Sequence, residues 1–385
     1  MACPWAARLN TPMEERLPMH CRDEEMSVFW IETDQELADA VASWDDCVGL
    51  DTEFIRTDTF YPIPGLYQVA SGSQVFLLDP LTIEEWQPFN AYLMDPSKVK
   101  VMHACQEDLE LIKHHLGVNP ANVFDTQFAN AFVGENFSLS YANLVRQLVN
   151  VDLQKQETRS NWLQRPLSEE QMIYAADDVI YLVAMYEALR SALEDNGRLS
   201  WFLEDMAARG HYVEPDPGAY FAQVKRAWQL SPRELARLKA LCRWRENAAR
   251  HFDMPRNRIV WDDHLMSLAC ENQVGQRTLQ DLLPKAVVRK YGAALLDAHN
   301  KGSEAELPPP LDKPLTAGQN ARVKALRTVA TEQAQQLGFA TELLARRKDV
   351  EACMRAYLKD TSLSGHYSGW RQAILGAQFL QILSN

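Results

Sequence analysis

The sequence lacks paired cysteines: its seven cysteines are scattered over 385 residues, and no Cys-x-x-Cys pair occurs. This pattern gives no sign of a zinc cluster or of a disulfide framework. The chain also has no stretch that approaches the roughly 20 apolar residues of a membrane helix. Its first residues lack the apolar core of about 7–15 residues that marks a signal peptide. We therefore expect a cytoplasmic protein without a membrane partner.

Basic residues are scarce in the first half of the chain. Residues 1–217 contain 14 Lys and Arg against 36 Asp and Glu, a net charge of −22. The net charge is +6 in residues 218–300 and +3 in residues 301–385. The total of −13 argues against a nucleic-acid-binding protein, but the division indicates an acidic part that binds cations and a basic part that binds phosphates. The alternative is that the acidity serves only solubility.

Length and composition predict a globular protein of two or three domains, with 46% hydrophobic and 24% charged residues. Residues 1–26 are interpreted as an irregular extension, because prolines interrupt any helix and apolar periodicity is missing. From 27 to 215, strand and helix patterns alternate, which predicts a mixed sheet flanked by helices. Strands are predicted at 27–31, 47–54, 65–71, 74–80 and 99–104, helices at 33–44, 83–95, 106–117 and 168–197, and a strand or helix start at 122–129.

Beyond residue 217 the sequence pattern is helical. Residues 219–300 and 315–385 form two helical segments, and a linker over 301–314 with three consecutive prolines separates them. The sequence ARLKAL (236–241) returns as ARVKAL (321–326). We therefore expect two related all-α domains after the α/β domain.

Four acidic residues and a tyrosine are the candidates for chemistry. Asp51 and Glu53 alternate in a strand pattern, so both side chains project from one face. Asp108 stands at a predicted strand-to-helix junction, where α/β sheets commonly bind ligands. Tyr174 and Asp178 are four residues apart on one helix face. The strand pattern alone also fits an exposed strand face, and Asp108 alone also fits an acid that favours the helix dipole. The spacing of Tyr174 and Asp178 alone is weak evidence.

Taken in order, these residues resemble the DEDDy superfamily of 3′–5′ exonucleases, and the surrounding sequence resembles the ribonuclease D family within it. The segments that carry the resemblance are LDTEFIRTDTFYP (50–62), GLYQ (65–68), HACQEDLE (103–110), FDTQ (124–127), RSNWLQRPLS (159–168) and YAADDVIYL (174–182). The resemblance implies a ribonuclease H-like exonuclease domain over 27–215. It also implies a first HRDC domain, a helical bundle, over 219–300 and a second HRDC-like domain over 315–385.

The resemblance implies the chemistry as well. Members of this family hydrolyse RNA from its 3′ end to nucleoside 5′-monophosphates, with two divalent metal ions, Mg²⁺ or Mn²⁺. Carried over residue by residue, Asp51, Glu53 and Asp178 hold the metal that activates water. Asp51 bridges to the second metal, and Asp108 assists there through water. Tyr174 positions the nucleophile with its hydroxyl group.

Five further residues are candidates for binding the substrate. Leu66 and Gln68 closely follow the metal-binding strand and are expected near the terminal nucleotide. His103 precedes the third acid, where a packed junction residue is the alternative. Trp162 is a candidate for stacking on a base, which is worth about 1–3 kcal/mol, or for a core position. Arg165 is a candidate for binding a phosphate or for pairing with an acid.

Basic and aromatic residues also interleave in the first helical segment. The functional interpretation is an RNA-binding face, and the alternative is a solvated surface over a tryptophan core. The residues concerned are Lys225, Arg226, Arg233, Arg237, Lys239, Arg243, Arg245, Arg250, Arg256 and Arg258, with Trp228, Trp244 and Trp261.

The expected partner is RNA, with tRNA precursors as the expected physiological class, and no obligate protein partner is inferred. Two alternatives stay open. A DNA 3′–5′ exonuclease is one, because proofreading domains share the four acids. A catalytically silent RNA-binding protein is the other, although the retention of all four acids argues against it.

Overall fold

The structure, a computed structural model, describes residues 18–21, 24–153 and 160–384. These residues form two compact units. Unit 1 comprises the described residues up to 55 together with 64–212 and 315–384, and unit 2 comprises residues 56–63 and 213–314. Among the described residues, no helix is long and apolar enough to cross a membrane.

Unit 1 is built around a seven-stranded sheet. Its strands are β1 (Pro18–Cys21), β2 (Glu24–Ile31), β3 (Cys47–Ile55), β4 (Ile63–Ser71), β5 (Gln74–Leu78), β6 (Val99–Met102) and β7 (Val123–Asp125). They lie in the order β1-β2-β5-β4-β3-β6-β7. β1 with β2 and β4 with β5 are antiparallel, whereas β2 with β5, β3 with β6 and β6 with β7 are parallel. The predicted mixed sheet is therefore confirmed.

The helices of residues 34–209 flank this sheet, as predicted. They are α1 (Asp34–Ser43), α2 (Gln87–Met94), α3 (Gln106–Leu116), α4 (Thr126–Val133), α5 (Tyr141–Val149), α6 (Glu169–Ile180), α7 (Leu182–Asp195) and α8 (Leu199–Arg209). Thr33 and Glu36 form the capping box that starts α1, each side chain accepting the other's backbone N–H. Gly117 ends α3 with a φ of 76°, a conformation that glycine adopts without strain.

The interpretation of residues 1–26 as irregular is wrong where the structure describes them. β1 adds to the edge of the sheet through Pro18–Cys21, which pair with residues 24–27 of β2. Pro18 is tolerated because it is the first residue of an edge strand. Residues 1–17 and 22–23 of this predicted extension lie outside the described residues.

The single helix predicted over 168–197 is in fact two, because α6 ends at Ile180 and α7 begins at Leu182. Ser168 caps α6 as predicted, in a capping box with Gln171. The break lies against the sheet: a Cβ atom at Gly49 would come within 2.7 Å of the Val179 carbonyl oxygen. The close approach of strand β3 therefore coincides with the interruption, which helical periodicity in the sequence does not reveal.

Unit 2 is a helical bundle that begins with short 3-10 turns at Pro217–Gln223 and Ala227–Gln229. Its helices are α9 (Pro232–His251), α10 (Arg256–Ile259), α11 (Asp262–Cys270), α12 (Gln276–Leu282) and α13 (Lys285–Glu304). Leu238 and Leu241 of α9 and Leu295 of α13 are fully buried in a core of their own. Since α13 continues to Glu304, the predicted linker over 301–314 begins four residues later than expected.

The last helical segment folds with the sheet and not as a separate body. It contains α14 (Ala317–Leu337), α15 (Glu342–Ala345), α16 (Arg347–Asp360) and α17 (Trp370–Ser384). Trp370 stacks on Trp201 of α8 at a centroid distance of 4.9 Å, and Arg371 forms two hydrogen bonds with Asp205 at 2.8 and 2.6 Å. The hydrophobic core of unit 1 therefore includes residues from both ends of the chain.

Candidate metal and active site

Strand β3 provides two of the predicted acids from the interior of the sheet. It lies between β4 and β6, with Val48 and Leu50 almost fully buried. Gly49 approaches Val179 and Leu182, so this face of β3 is turned toward the junction of α6 and α7. Because strand side chains alternate, Asp51 and Glu53 point to that same face.

Helix α6 brings Tyr174 and Asp178 to these carboxylates. One carboxylate oxygen from each of Asp51, Glu53 and Asp178 lies within 4.8 Å of the others. The Tyr174 hydroxyl forms a hydrogen bond with the Asp178 carboxylate. The structure therefore brings together four of the five predicted residues, from elements more than 100 positions apart in the sequence.

Asp108 lies in the first turn of α3, close enough to this cluster to act on the charge of Asp51. Its side chain is 8% exposed and accepts a hydrogen bond of 2.5 Å from the hydroxyl of Thr52. The preceding turn is fixed by Asp125, whose carboxylate accepts the N–H groups of Ala104 and Phe128 at 3.0 and 3.1 Å. This support holds Asp108 at the junction where the sequence predicted it.

The electrostatics of the cluster oppose full ionisation. Burial, followed by repulsion from Asp108, Asp178 and Glu53, raises the pKa of Asp51 well above its usual value. Burial and then Asp178 raise the pKa of Glu53 to about 9. Burial raises the pKa of Asp108 to about 6 and that of Asp178 to about 7, with hydrogen bonds from Thr52 and Tyr174 acting in the opposite direction.

These residues fit a divalent metal ion. Several carboxylates that share one buried site are costly unless a cation compensates their charge. Hard divalent cations prefer oxygen ligands, and the three carboxylates of Asp51, Glu53 and Asp178 offer oxygens that one ion can bind together. Asp108 is close enough to raise the pKa of Asp51, which places a further oxygen donor beside that set.

The structure assigns Trp162 and Arg165 to the architecture of the site. Trp162 is 3% exposed, with its ring centroid 6.0 Å from that of Tyr174, so it takes the core alternative and offers little surface for stacking on a base. Arg165 binds Asp79 through two hydrogen bonds of 2.7 and 2.6 Å and donates to the carbonyl of Gly65. Its guanidinium is therefore paired with an acid, the second of the two predicted roles.

The remaining substrate candidates are also enclosed. Leu66 and Gln68 are 0% exposed, so the predicted contact with a nucleotide has no accessible surface here. The amide nitrogen and oxygen of Gln68 have no hydrogen-bond partner among the described residues. Both ring nitrogens of His103 are engaged, with the Thr126 hydroxyl at 2.9 Å and the Leu139 carbonyl at 3.2 Å. His103 thus behaves as a packed junction residue.

Most basic residues predicted to form an RNA-binding face have structural partners. Arg237 and Arg245 are buried at 3% and 1% exposure. Arg256 binds the buried carboxylate of Glu246 through its Nε at 2.6 and 2.7 Å. Further partners occupy Arg233, Arg250 and Arg258. The pattern of charges in the sequence could not separate these residues from Lys225, Arg226, Lys239 and Arg243, which form no ion pair within the described part of the chain.

Two residues near the site were missed by sequence reasoning. Thr52 lies between the two acids of β3, yet it bonds to Asp108. Tyr141 at the start of α5 donates its hydroxyl to the Asp177 carbonyl at 2.8 Å, and burial together with Asp178 raises its pKa. The position of Thr52 between two candidate acids could have indicated its role from the sequence. No local sequence pattern indicates a role for Tyr141.

Comparisons with known proteins show which families the chain resembles. A family model described as a 3′–5′ exonuclease matches residues 28–194, and an HRDC domain model matches residues 234–298. Ribonuclease D of Pseudomonas paraeruginosa is 39% identical over 370 residues, which cover 93% of this chain and 98% of that protein. Ribonuclease D of Escherichia coli is 34% identical over 376 residues, which cover 93% and 99%.

A solved structure is similar over the same length. The crystal structure of Escherichia coli RNase D, described as an exoribonuclease involved in structured RNA processing, matches with a TM-score of 0.85 at 34% identity. The match covers 93% of this chain and 99% of that one. The likeness therefore extends through both compact units.

Proposed function

The chain belongs to the ribonuclease D family of 3′–5′ exoribonucleases, and we propose that Asp51, Glu53, Asp108 and Asp178 hold two divalent metal ions, Mg²⁺ or Mn²⁺, for this reaction. The observation that carries the proposal is the convergence of the Asp51, Glu53 and Asp178 carboxylates beside Tyr174, with Asp108 close enough to raise the pKa of Asp51. Bound ions of this kind lower the pKa of an attacking water and neutralise charge on the leaving oxygen. The products are nucleoside 5′-monophosphates.

Tyr174 is proposed to orient the attacking water as a neutral hydrogen-bond donor and acceptor. Burial, followed by the charges of Asp178 and Glu53, raises the pKa of its hydroxyl. The phenol therefore stays protonated near neutral pH and does not act as a base there. Its hydrogen bond to Asp178 fixes its direction, so the hydroxyl is held in position before the substrate arrives.

The direct test is the hydrolysis of a 5′-labelled single-stranded RNA and of the DNA of the same sequence. Each is incubated with Mg²⁺, with Mn²⁺ or with EDTA. We expect stepwise shortening of the RNA from its 3′ end with either ion, and none in EDTA. Metal-independent hydrolysis, or a preference for the DNA, would contradict the proposal.

Structured RNA, with tRNA precursors as one class, is the proposed physiological substrate. The Escherichia coli relative, similar over nearly its whole length, is described as acting in structured RNA processing. Free thiols are found at Cys47, Cys105, Cys242, Cys270 and Cys353, which fits the reducing cytoplasm in which such precursors occur. The test compares a tRNA with an extended 3′ end against an unstructured RNA of equal length.

Unit 2 is proposed to capture this RNA through a groove between α9 and α13. The groove measures about 480 Å³, and Lys239, Arg243 and Trp244 line it. Lys301 also lines it but is paired with Asp297 at 2.6 Å. Lys239 and Arg243 have no such ion pair among the described residues, and the half-buried Trp244 lies beside them in the same lining.

Charge removal within the full chain tests this capture. Each phosphate contact with single-stranded RNA contributes about −0.7 to the slope of log affinity against log salt. We expect Lys239→Gln and Arg243→Gln each to weaken RNA binding and to make the salt dependence shallower by about this amount. Lys324→Gln, an exposed lysine of α14 in unit 1, is the matched control. Equal affinities and slopes in all proteins would remove the groove from RNA capture.

A second HRDC-like domain over 315–385 is proposed from the way in which α9 and α14 begin. Ser231 and Thr316, 85 positions apart, both cap their helices in capping boxes. At the same offset Leu238 corresponds to Val323 and Leu241 to Leu326, and all four side chains are buried. A structural superposition of the two segments tests the proposal, because a true repeat superposes beyond the first helix.

A further inference from the structure

The loop that follows the metal-binding strand belongs to the helical unit. β3 carries Asp51 and Glu53 and ends at Ile55, and β4 begins at Ile63. Residues 56–62 between them, with Ile63, belong to the same compact unit as residues 213–314. A segment inside the nuclease part of the sequence is therefore part of unit 2.

One carboxylate anchors this loop. Oδ1 of Asp253, in the turn after α9, accepts the backbone N–H groups of both Phe60 and Tyr61 at 2.9 Å. Asp253 has a φ of 46°, a left-handed conformation that Asp and Asn tolerate better than other non-glycine residues. Two donated N–H groups on one charged acceptor make a stronger anchor than neutral hydrogen bonds would.

The side chain of Phe60 adds a second attachment. It is 7% exposed and lies in the hydrophobic core of unit 2. The guanidinium of Arg256 lies 4.8 Å from its ring centroid, and Glu246 holds that guanidinium in place. Arg56 closes the loop on itself by donating to the Phe60 carbonyl at 3.0 and 2.7 Å.

Only two residues separate Glu53 from the start of the loop. We propose that Asp253 is a positioning residue for hydrolysis: by holding the 56–63 loop, it fixes the end of β3 and with it the carboxylate of Glu53. The inference rests on the proposed role of Glu53 as a metal ligand. A displacement of about 1 Å at a reacting centre lowers a rate by as much as about 100-fold, so a loosened loop would be visible in the kinetics.

The experiment uses the full chain with Asp253→Gly and Asp253→Asn. Glycine removes the carboxylate without strain at this φ, whereas asparagine keeps an oxygen that can accept both N–H groups. On a short single-stranded RNA, we expect Asp253→Gly to lower kcat about tenfold, with KM little changed and with a higher Mn²⁺ concentration needed for half-maximal rate. Asp253→Asn should keep most of the kcat of the original protein.

Hydrogen exchange decides what a null kinetic result means. The amides of Phe60 and Tyr61 should exchange faster in Asp253→Gly than in the original protein, while the amides of the α9 core stay protected. Freed loop amides with an unchanged kcat and an unchanged Mn²⁺ requirement would overturn the inference. The proposed metal site is tested separately, because loss of activity in Asp51→Asn does not depend on the loop.

Discussion

Replacing Glu53 by glutamine is expected to stabilise the metal-free protein. The carboxyl of Glu53 is largely buried beside Asp178 and Asp108, which raises its pKa from 4.5 to about 9. A group whose pKa is higher in the folded state favours folding fully below its unfolded pKa, and this contribution is lost as the pH rises toward the folded pKa. The wild-type protein therefore loses stability between about pH 4.5 and pH 9, and the glutamine variant does not share this loss.

The size of the effect follows from the pKa difference. Each pH unit above the unfolded pKa costs about 1.4 kcal/mol until the folded pKa is reached. At pH 7 the glutamine variant should be more stable than the wild type by roughly 3 kcal/mol, and at pH 5 by less than about 1 kcal/mol. Glutamine has nearly the same volume as glutamate, so packing contributes little to the difference.

Urea unfolding in EDTA, followed by circular dichroism at several pH values, measures this difference. Glu84→Gln is the matched control, because Glu84 is an exposed acid of the same unit. Adding Mn²⁺ should close the gap, since ligand binding stabilises the folded state and the wild type binds the ion more tightly. A glutamine variant that is no more stable than the wild type at pH 8, or a gap that does not shrink at pH 5, would refute the reasoning.

Three further outcomes are expected. Asp51→Asn should lower the rate of RNA hydrolysis at least about 10³-fold with an unchanged circular dichroism spectrum, and a near-normal rate would exclude the metal assignment. Tyr174→Phe should slow hydrolysis about tenfold to a hundredfold with Mn²⁺ affinity retained in calorimetry, whereas a large loss of affinity would make the tyrosine a ligand. Arg165→Met should reduce the free energy of unfolding by about 3 kcal/mol, because Asp79 is left buried without its partner. Combining it with Asp79→Leu should recover part of that loss, and an additive loss would show that the ion pair is not the cause.

The four acids and Tyr174 could be found in the sequence because local geometry determines where they point. Strand alternation puts Asp51 and Glu53 on one face, and helical spacing does the same for Tyr174 and Asp178. These local patterns do not specify which strand and which helix lie side by side in the fold. The order of the motifs in a known family supplied that information, and in the structure the carboxylate oxygens of Asp51, Glu53 and Asp178 lie close together.

The substrate candidates could not be judged in the same way, because their roles depend on burial. Arg165 looks available for a phosphate until Asp79 is found beside it, 86 positions earlier in the sequence. Trp162 lies in the core because Gly65 lets its Cβ approach the backbone of β4 closely. Neither partner is encoded in a pattern near the residue, so a local interpretation leaves both alternatives open.

The domain organisation also differs from what the order of sequence segments predicts. The prediction divided it into consecutive parts, yet unit 1 takes residues from three separate ranges and unit 2 takes an insertion from inside the nuclease sequence. Ala340 donates its N–H to the carbonyl of Ala131 at 2.9 Å, which ties the end of the chain to α4. A chain ended near Pro215 would lose these contacts along with the groove of unit 2 and the anchor of the 56–63 loop. Its defects could not be attributed to RNA capture, and for this reason single side-chain replacements in the full chain separate the roles that a truncation would mix.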